Sequence, residues 1–234
     1  MRYFISALAM QPGYTPMIVK FDEHTDVPST RIEYSYYLMA RAAGVPMMPC
    51  RLLSTRSGTH FLTERFDRSG DEKIHVQTFA AIMPGADSYE ELFDAACRIG
   101  VPQEELQSLF RMLVMNVVGG NVDDHSKNFS FLMRRDGAWH TASFYDYTFS
   151  VDPDVPAYVN RHSLSVGGKV ENIRRSDLVA AAERFGIRGA EAYVKRASGI
   201  ARDYRSYAHL AGVPEQWTRI IEEEIAARTA ALCQ

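Results

Sequence analysis

The run Leu109-Phe110-Arg111-Met112-Leu113-Val114-Met115-Asn116-Val117-Val118 constrains this chain more than any other stretch. It is long and apolar enough for a mostly buried helix, and it breaks at Gly119-Gly120. The polar segment Asn121-Val122-Asp123-Asp124-His125-Ser126-Lys127-Asn128 follows at once. Phe129 to Met133 then alternates like a short strand, Asp136-Gly137 offers a turn, and Trp139 to Phe144 reads as the hairpin partner. Asp146 comes next. A buried helix that delivers a polar loop to one end of a hairpin allows Asp123, Asn128 and Asp146 to converge. Acids and a carboxamide gathered in this way are the oxygen ligands a hard divalent cation requires.

The rest of the chain has to supply the core around that helix. At 234 residues it can bury roughly 70–75% of its unfolded surface, so no staples are needed. Hydrophobic residues at 46% and charged residues at 24% are ordinary for a globular protein. A net charge of −3 gives no overall basis for binding nucleic acid or an anionic membrane. The three cysteines, Cys50, Cys97 and Cys233, lack CxxC spacing, which argues against a disulfide framework or zinc site and suits a cytoplasmic protein. No stretch reaches the eighteen or so apolar residues of a membrane span, and the short apolar run at Met1 to Met10 reads as a strand rather than a signal peptide.

In chain order, strands are expected at Tyr3 to Met10 and Met17 to Phe21. Ser29 or Thr30 caps a helix from Arg31 to Ala43, with Glu33 in its first turn. Strands at Arg51 to Ser54 and His60 to Phe66 flank the turn Ser57-Gly58, and Asp67 to Asp71 is a turn-rich connector. Helical patterns follow at Val76 to Ile82, at Ser88 to Ile99 with a capping box at Ser88 to Glu91, and at Gln103 to Val118. Further ones lie at Arg175 to Phe185, Gly189 to Tyr207 and Pro214 to Leu232. This is an α+β chain of two lobes, a small β-rich N-lobe over 1–68 and a mostly helical C-lobe over 69–234, with a hinge near Arg65 to Arg68.

Phosphoryl transfer from a nucleotide needs a lysine on the α- and β-phosphates, a cation at the phosphates, and an acid near the incoming hydroxyl. Lys20 on an early strand, Glu33 on the next helix, the spacing D-x-x-x-x-N from Asp123 to Asn128, and Asp146 after a strand supply these in the order a protein kinase uses. With Met17-Ile18-Val19-Lys20, the segment Leu38 to Val45, Glu64 to Arg68, His75 to Phe79, Asn121 to Phe129 and Asp146, the sequence resembles the HipA-type serine/threonine kinases, the high-persistence toxin kinases of type II toxin–antitoxin systems. The resemblance runs from about residue 14 to past Lys169 and implies a two-lobed protein-kinase-like fold.

The resemblance also implies roles. Asp123 is the catalytic acid that accepts the hydroxyl proton, Asn128 and Asp146 hold magnesium, and Lys20 neutralises the ATP phosphates. Backbone groups at Glu64 to Phe66 hold the adenine, with Phe66 against its face. Implied partners are a protein substrate such as an aminoacyl-tRNA synthetase and a HipB-like DNA-binding antitoxin. The family's glycine-containing phosphate loop has no counterpart among the nineteen residues before Lys20, where Gly13 is the only glycine. Three expectations follow: the start lies upstream, a separate N-terminal subunit supplies that part, or the chain is a catalytically impaired pseudokinase that binds nucleotide or an antitoxin.

Several residues keep two readings at this point. Lys127 either touches the transferring phosphate or pairs with a neighbouring carboxylate, and His125 either approaches the nucleotide or holds the loop structurally. Gln77 is either a nucleotide contact or a helix-surface residue. Asp124 is either a ligand or a turn-stabilising side chain. Lys20 alone could be an edge charge, and Glu33 either pairs with it or is an exposed helix-start acid.

Overall fold

The structure is a computed structural model that describes residues 14–22, 26–70, 72–152, 155 and 160–233. The strand expected at Tyr3 to Met10 lies outside these residues. Strand β1 (Met17–Lys20) leads to helix α1 (Ser29–Ala42), and the hairpin β2 (Cys50–Thr55) and β3 (Gly58–Glu64) follows. The three strands form one antiparallel sheet in the order β1-β3-β2, with Lys20 and Leu52 both opposite Phe61. Helix α1 buries the stripe Ile32, Tyr36, Met39 and Ala40, at the spacing that places side chains on one helical face.

The start of α1 differs from the sequence expectation. Ser29 and Thr30 lie inside the helix, and Pro28, which has no side chain to cap with, stands at its boundary. The cap comes from Asp22, whose Oδ1 accepts from the Thr30 amide at 2.8 Å and from Ser29 Oγ at 2.9 Å. A carboxylate there satisfies an orphan N–H and faces the positive end of the helix dipole. The earlier start moves Glu33 beyond the first turn.

After β3 a two-residue hairpin, β4 (Arg68–Ser69) with β5 (Glu72–Lys73), occupies the connector. The helix expected at Val76 to Ile82 is instead strand β6 (His75–Thr78) followed by the short helix α2 (Phe79–Ile82). Two causes are visible. Val76 and Gln77 pair with Leu132 and Phe131 of a distant strand, and Thr78 Oγ1 accepts from the Ala81 amide at 3.2 Å, which starts the helix three residues late. Helix α3 (Tyr89–Arg98) begins at the expected capping box, and helix α4 (Gln103–Gly119) is the buried apolar run. A 3₁₀ turn at Ser126–Asn128 precedes β7 (Ser130–Met133) and β8 (Trp139–Thr141), which complete a second antiparallel sheet in the order β6-β7-β8.

Four helices close the molecule: α5 (Arg175–Arg184), α6 (Ala190–Arg202), α7 (Tyr204–Ala211) and α8 (Glu215–Ala231). The single helix expected at Gly189 to Tyr207 is therefore two. Asp203 interrupts it: the Asp203 amide donates to the Ile200 carbonyl at 3.1 Å and the Ser206 amide to the Asp203 carbonyl at 3.0 Å, three-residue steps that break the four-residue ladder, while Ser206 Oγ donates to Asp203 Oδ1 at 2.8 Å.

Helix α4 lies at the centre of the core, contacting α3, α6, α8 and β8. Its end is tightly packed. Tyr36 Oη donates to the Gly119 carbonyl at 2.5 Å and Tyr147 Oη to the Met115 carbonyl at 2.9 Å, and both phenols are buried. A Cβ at Gly119 would collide with the Tyr147 hydroxyl and come within 3.2 Å of Tyr36 Cε1. Gly120 then takes φ +68°, where a glycine terminates the helix without strain.

Helix α1 is fastened to the helical part along its length. Arg111 Nη1, Tyr193 Oη and Arg196 Nη2 donate to the carbonyls of Gly44, Ala43 and Ala42 at 3.0 to 3.2 Å. Ser35 Oγ and Tyr204 Oη are 3.0 Å apart, and Arg31 Nη1 reaches the Ala211 carbonyl at 3.2 Å.

Candidate active site

Lys20 ends β1 and projects toward α1. Its Nζ donates to Glu33 Oε1 at 2.8 Å and forms a second, shorter ion pair with Asp146. The two acids arrive from opposite parts of the chain. Glu33 is mostly buried, with 11% of its side chain exposed, whereas Asp146 keeps 46%. Burial pushes the Glu33 carboxyl up to about 7 against the pull of Lys20. Burial also works to lower the Lys20 ammonium, but Glu33 and Asp146 together outweigh it and hold it above its usual value. Beside this triad an open hollow of about 570 Å³ has Lys20, Glu33, Phe21 and Thr30 among its walls. Of the two readings for Lys20 and Glu33, the pairing is the one the fold realises.

The segment after Gly120 carries the second part of the site. The backbone of Val122 to Asp124 is pinned from every side. Ser150 Oγ accepts from the amides of Val122 and Asp123 at 2.7 and 3.0 Å, and the Ser163 amide donates to the Val122 carbonyl at 3.0 Å. Asn128 Nδ2 donates to the Asp123 carbonyl at 2.8 Å. The Asp123 side chain, 66% exposed, is left projecting into solvent. His125 stands beside it with Nε2 4.0 Å from Asp123 Oδ1, while its Nδ1 is buried without a hydrogen-bond partner. Lys127 is exposed and pairs with no carboxylate among the described residues. Tyr145 Oη donates to the Lys127 carbonyl at 2.7 Å, so the residue before Asp146 is tied to the residue before Asn128. Asp146 has φ +58°, a left-handed conformation that aspartate tolerates better than most residues.

Asp124 behaves unlike its neighbour. It is fully buried and accepts from Tyr89 Oη at 2.6 Å, His162 Nδ1 at 2.8 Å, and the amides of Ser163 and Leu164 at 2.8 and 3.4 Å. Tyr89 Oη accepts in turn from Asn116 Nδ2 at 2.8 Å, Asn116 Oδ1 from Asn121 Nδ2 at 3.0 Å, and Asn121 Oδ1 from Ser150 Oγ at 3.2 Å. One connected network thus runs under the loop. Sequence reading missed Tyr89, Asn116, Ser150 and His162. The one visible signal was Asn116, a carboxamide among the buried apolar residues of the second half of α4, which has to be hydrogen-bonded when buried.

At the end of β3 the Glu64 amide donates to the Pro49 carbonyl at 3.0 Å and the Arg65 amide to Pro16 at 3.0 Å. Pro49 has no N–H to return, so the Glu64 carbonyl receives no bond from it and instead accepts from Thr63 Oγ1 at 3.4 Å. Phe66 stacks on Tyr145 with ring centroids 5.4 Å apart, which occupies one face of its ring. Gln77 is on a strand rather than a helix, and its Nε2 lies 3.4 Å from His75 Nε2.

Asn128 and Asp146 present oxygen donors of the kind magnesium takes, and the hydrogen bond from Asn128 Nδ2 leaves Oδ1 as the carboxamide atom free to coordinate. Among the described residues no group of three His, Cys, Asp or Glu side chains is arranged around a metal-sized space.

The family model for the HipA-like C-terminal domain matches residues 5–228. Y4mE of Sinorhizobium fredii (strain NBRC 101917 / NGR234), whose name assigns it provisionally to the kinases, is 26% identical over 129 residues, covering 48% of this chain and 30% of the relative. HipA of Shewanella oneidensis MR-1, solved with HipB and its operator DNA as a toxin–antitoxin system, superposes with a TM-score of 0.73 at 17% identity, over 93% of this chain and 58% of that one. The Helicobacter pylori proinflammatory kinase CtkA gives 0.62 at 13% identity, over 96% and 87%. The chain thus spans less than two thirds of the length of Y4mE and of that HipA. The two-lobed kinase-like architecture expected from the sequence is the observed one, and the chain belongs to the HipA-like C-terminal domain family of kinases.

Proposed function

We propose that the chain is a serine/threonine protein kinase that transfers the ATP γ-phosphate to a protein hydroxyl, as the toxin of a type II toxin–antitoxin system. The observation that carries this reading is Lys20 shared between Glu33 and Asp146, because a kinase needs its phosphate lysine held by a helix acid and next to the metal-binding aspartate. In this reading Asp123 orients the hydroxyl and accepts its proton, and its exposure leaves it open to a macromolecular substrate. Lys20 neutralises the phosphates and Lys127 faces the transferring group. Backbone groups at Glu64 to Phe66 and the Phe66 ring receive the adenine, with His125 and Gln77 at the margins of the nucleotide. Magnesium, held by Asn128 and Asp146, would supply charge neutralisation at the phosphates.

The unpaired cysteines support a cytoplasmic setting. Among the described residues no helix is long and apolar enough to cross a membrane. The HipB bound to the Shewanella HipA supports a HipB-like antitoxin as partner, and an aminoacyl-tRNA synthetase is the substrate class carried by the family resemblance. The test is transfer of label from γ-labelled ATP to dephosphorylated casein, with thermal stabilisation by ATP and magnesium measured alongside. Asp123→Ala should keep the stabilisation and lose at least roughly two orders of magnitude in rate. Full transfer by that variant would remove Asp123 from the reaction. Stabilisation of the unaltered chain without any transfer would identify a nucleotide-binding pseudokinase.

A further inference from the structure

The network beneath the loop reaches the C-terminal helix α8 through one residue. His162 is buried with 2% of its side chain exposed, between Asp124 on Nδ1 and Arg228 of α8 on Nε2, where Arg228 Nη1 lies 3.3 Å away. A guanidinium only donates and an imidazole nitrogen without hydrogen only accepts. Hydrogen-bond direction therefore assigns the ring proton to Nδ1, where it is donated to Asp124. Arg228 is itself oriented, since its Nε donates to Glu224 Oε1 at 2.6 Å one turn earlier on α8. The same two residues pack on the glycine that releases the chain into the loop. A Cβ at Gly120 would lie 3.3 Å from Arg228 Nε and 3.4 Å from Glu224 Cγ.

We propose that Arg228, His162 and Asp124 form a positioning chain through which the C-terminal helix α8 sets the backbone at Asp123. The proposal rests on the reading of Asp123 as the proton acceptor. Its geometry is continuous. Arg228 fixes the His162 ring, and His162 with the Ser163 and Leu164 amides fixes the Asp124 carboxylate. The Ser163 amide and hydroxyl also hold the Val122 carbonyl, at 3.0 and 3.2 Å. Asp123 lies between two residues held in this way, so its exposed carboxylate is aimed by its backbone rather than by contacts of its own. Arg228 touches neither nucleotide nor acceptor in this arrangement and acts only through His162.

The test compares Arg228→Met, Arg228→Lys and His162→Asn in the full chain, with casein as acceptor. Arg228→Met removes the donor to His162, and Arg228→Lys keeps one. His162→Asn retains a donor for Asp124 while deleting the acceptor that faces Arg228, and it serves as the second variant should Arg228→Met fold poorly. Loss of one charge-assisted hydrogen bond should lower kcat roughly tenfold with KM for ATP unchanged, and Arg228→Lys should recover part of the loss. Amide hydrogen exchange at Val122, Asp123 and Ser163 should quicken by a similar factor, while exchange in α5 stays as in the parent. Unchanged kcat and unchanged exchange in both Arg228→Met and His162→Asn would overturn the proposal. Undiminished transfer by Asp123→Ala would instead sink the proton-acceptor reading, and the exchange measurement would still decide whether α8 holds the loop.

Discussion

Replacing Tyr89 by phenylalanine tests the buried network with almost no change in shape. The ring is fully buried and meets Phe129 edge-on at 5.6 Å, contacts that phenylalanine keeps. The lost oxygen serves two partners, donating to the Asp124 carboxylate at 2.6 Å and accepting from Asn116 Nδ2 at 2.8 Å. A hydrogen bond to a charged group contributes about 1.5–3 kcal/mol, and a stranded buried donor costs about 1–3 kcal/mol. The two share one site and do not add fully, so the net loss should be about 2–4 kcal/mol. For a chain of this length that lowers Tm by roughly 5–15 °C. Urea unfolding should show a lower midpoint with an unchanged slope, since no surface is newly exposed. The double variant Tyr89→Phe/Asn116→Leu should cost less than the sum of the single changes, because it also removes the stranded donor. A loss below roughly 0.5 kcal/mol for Tyr89→Phe would refute the reasoning, for it would mean that Asp124 and Asn116 re-form their hydrogen bonds elsewhere.

Gly119→Ala should destabilise the chain even though alanine favours helices by about 1 kcal/mol, because its methyl group strikes the Tyr147 hydroxyl and crowds Tyr36, and overpacking costs about 1–3 kcal/mol. Stabilisation measured by urea unfolding would contradict the packing described. Glu105 accepts from His140 Nδ1 at 2.6 Å and from the Thr141 amide and hydroxyl at 2.6 and 2.9 Å. Burial works to raise its carboxyl, but these bonds outweigh it and the group sits below its ordinary value of 4.5. A depressed carboxyl stabilises the fold above its unfolded value and ceases to do so as pH falls through the folded one. The stability gap between the parent chain and Glu105→Gln should therefore be constant above about pH 5 and narrow in more acid solution. A gap that widens as pH falls would count against it.

What could be read from the sequence was what local chemistry settles. Helix α4 and its glycine stop, the Ser88 capping box and the β2–β3 hairpin each carry their cause within a few residues. Of the ordered set Lys20, Glu33, Asp123, Asn128 and Asp146 expected from the sequence, the fold joins Lys20 to Glu33 and Asp146. The failures have non-local causes. Val76 to Thr78, the start of the expected helix, pairs instead with β7, more than fifty residues later. The cap of α1 comes from Asp22, across a loop. Nothing in the adjacent pair Asp123-Asp124 says which acid is buried. His162, thirty-eight positions on, decides it. The break at Asp203 was the exception, a local tightening to three-residue backbone bonds that the apolar periodicity running across it concealed.

The attachment of α1 limits how the Lys20–Glu33 pair could be switched. Withdrawing Glu33 from Lys20 by swinging the helix would break the bonds from Arg196 and Tyr204 to α1, those from Arg111 and Tyr193 to Gly44 and Ala43 just past its end, and those that Tyr36 and Arg31 make to the helical part. At a net of about 0.5–1.5 kcal/mol each, six such bonds hold the withdrawn state below roughly 1% of molecules. The lysine–glutamate pair is in that sense a permanent fitting. An on–off signal would have to act on Asp146, the exposed member of the triad.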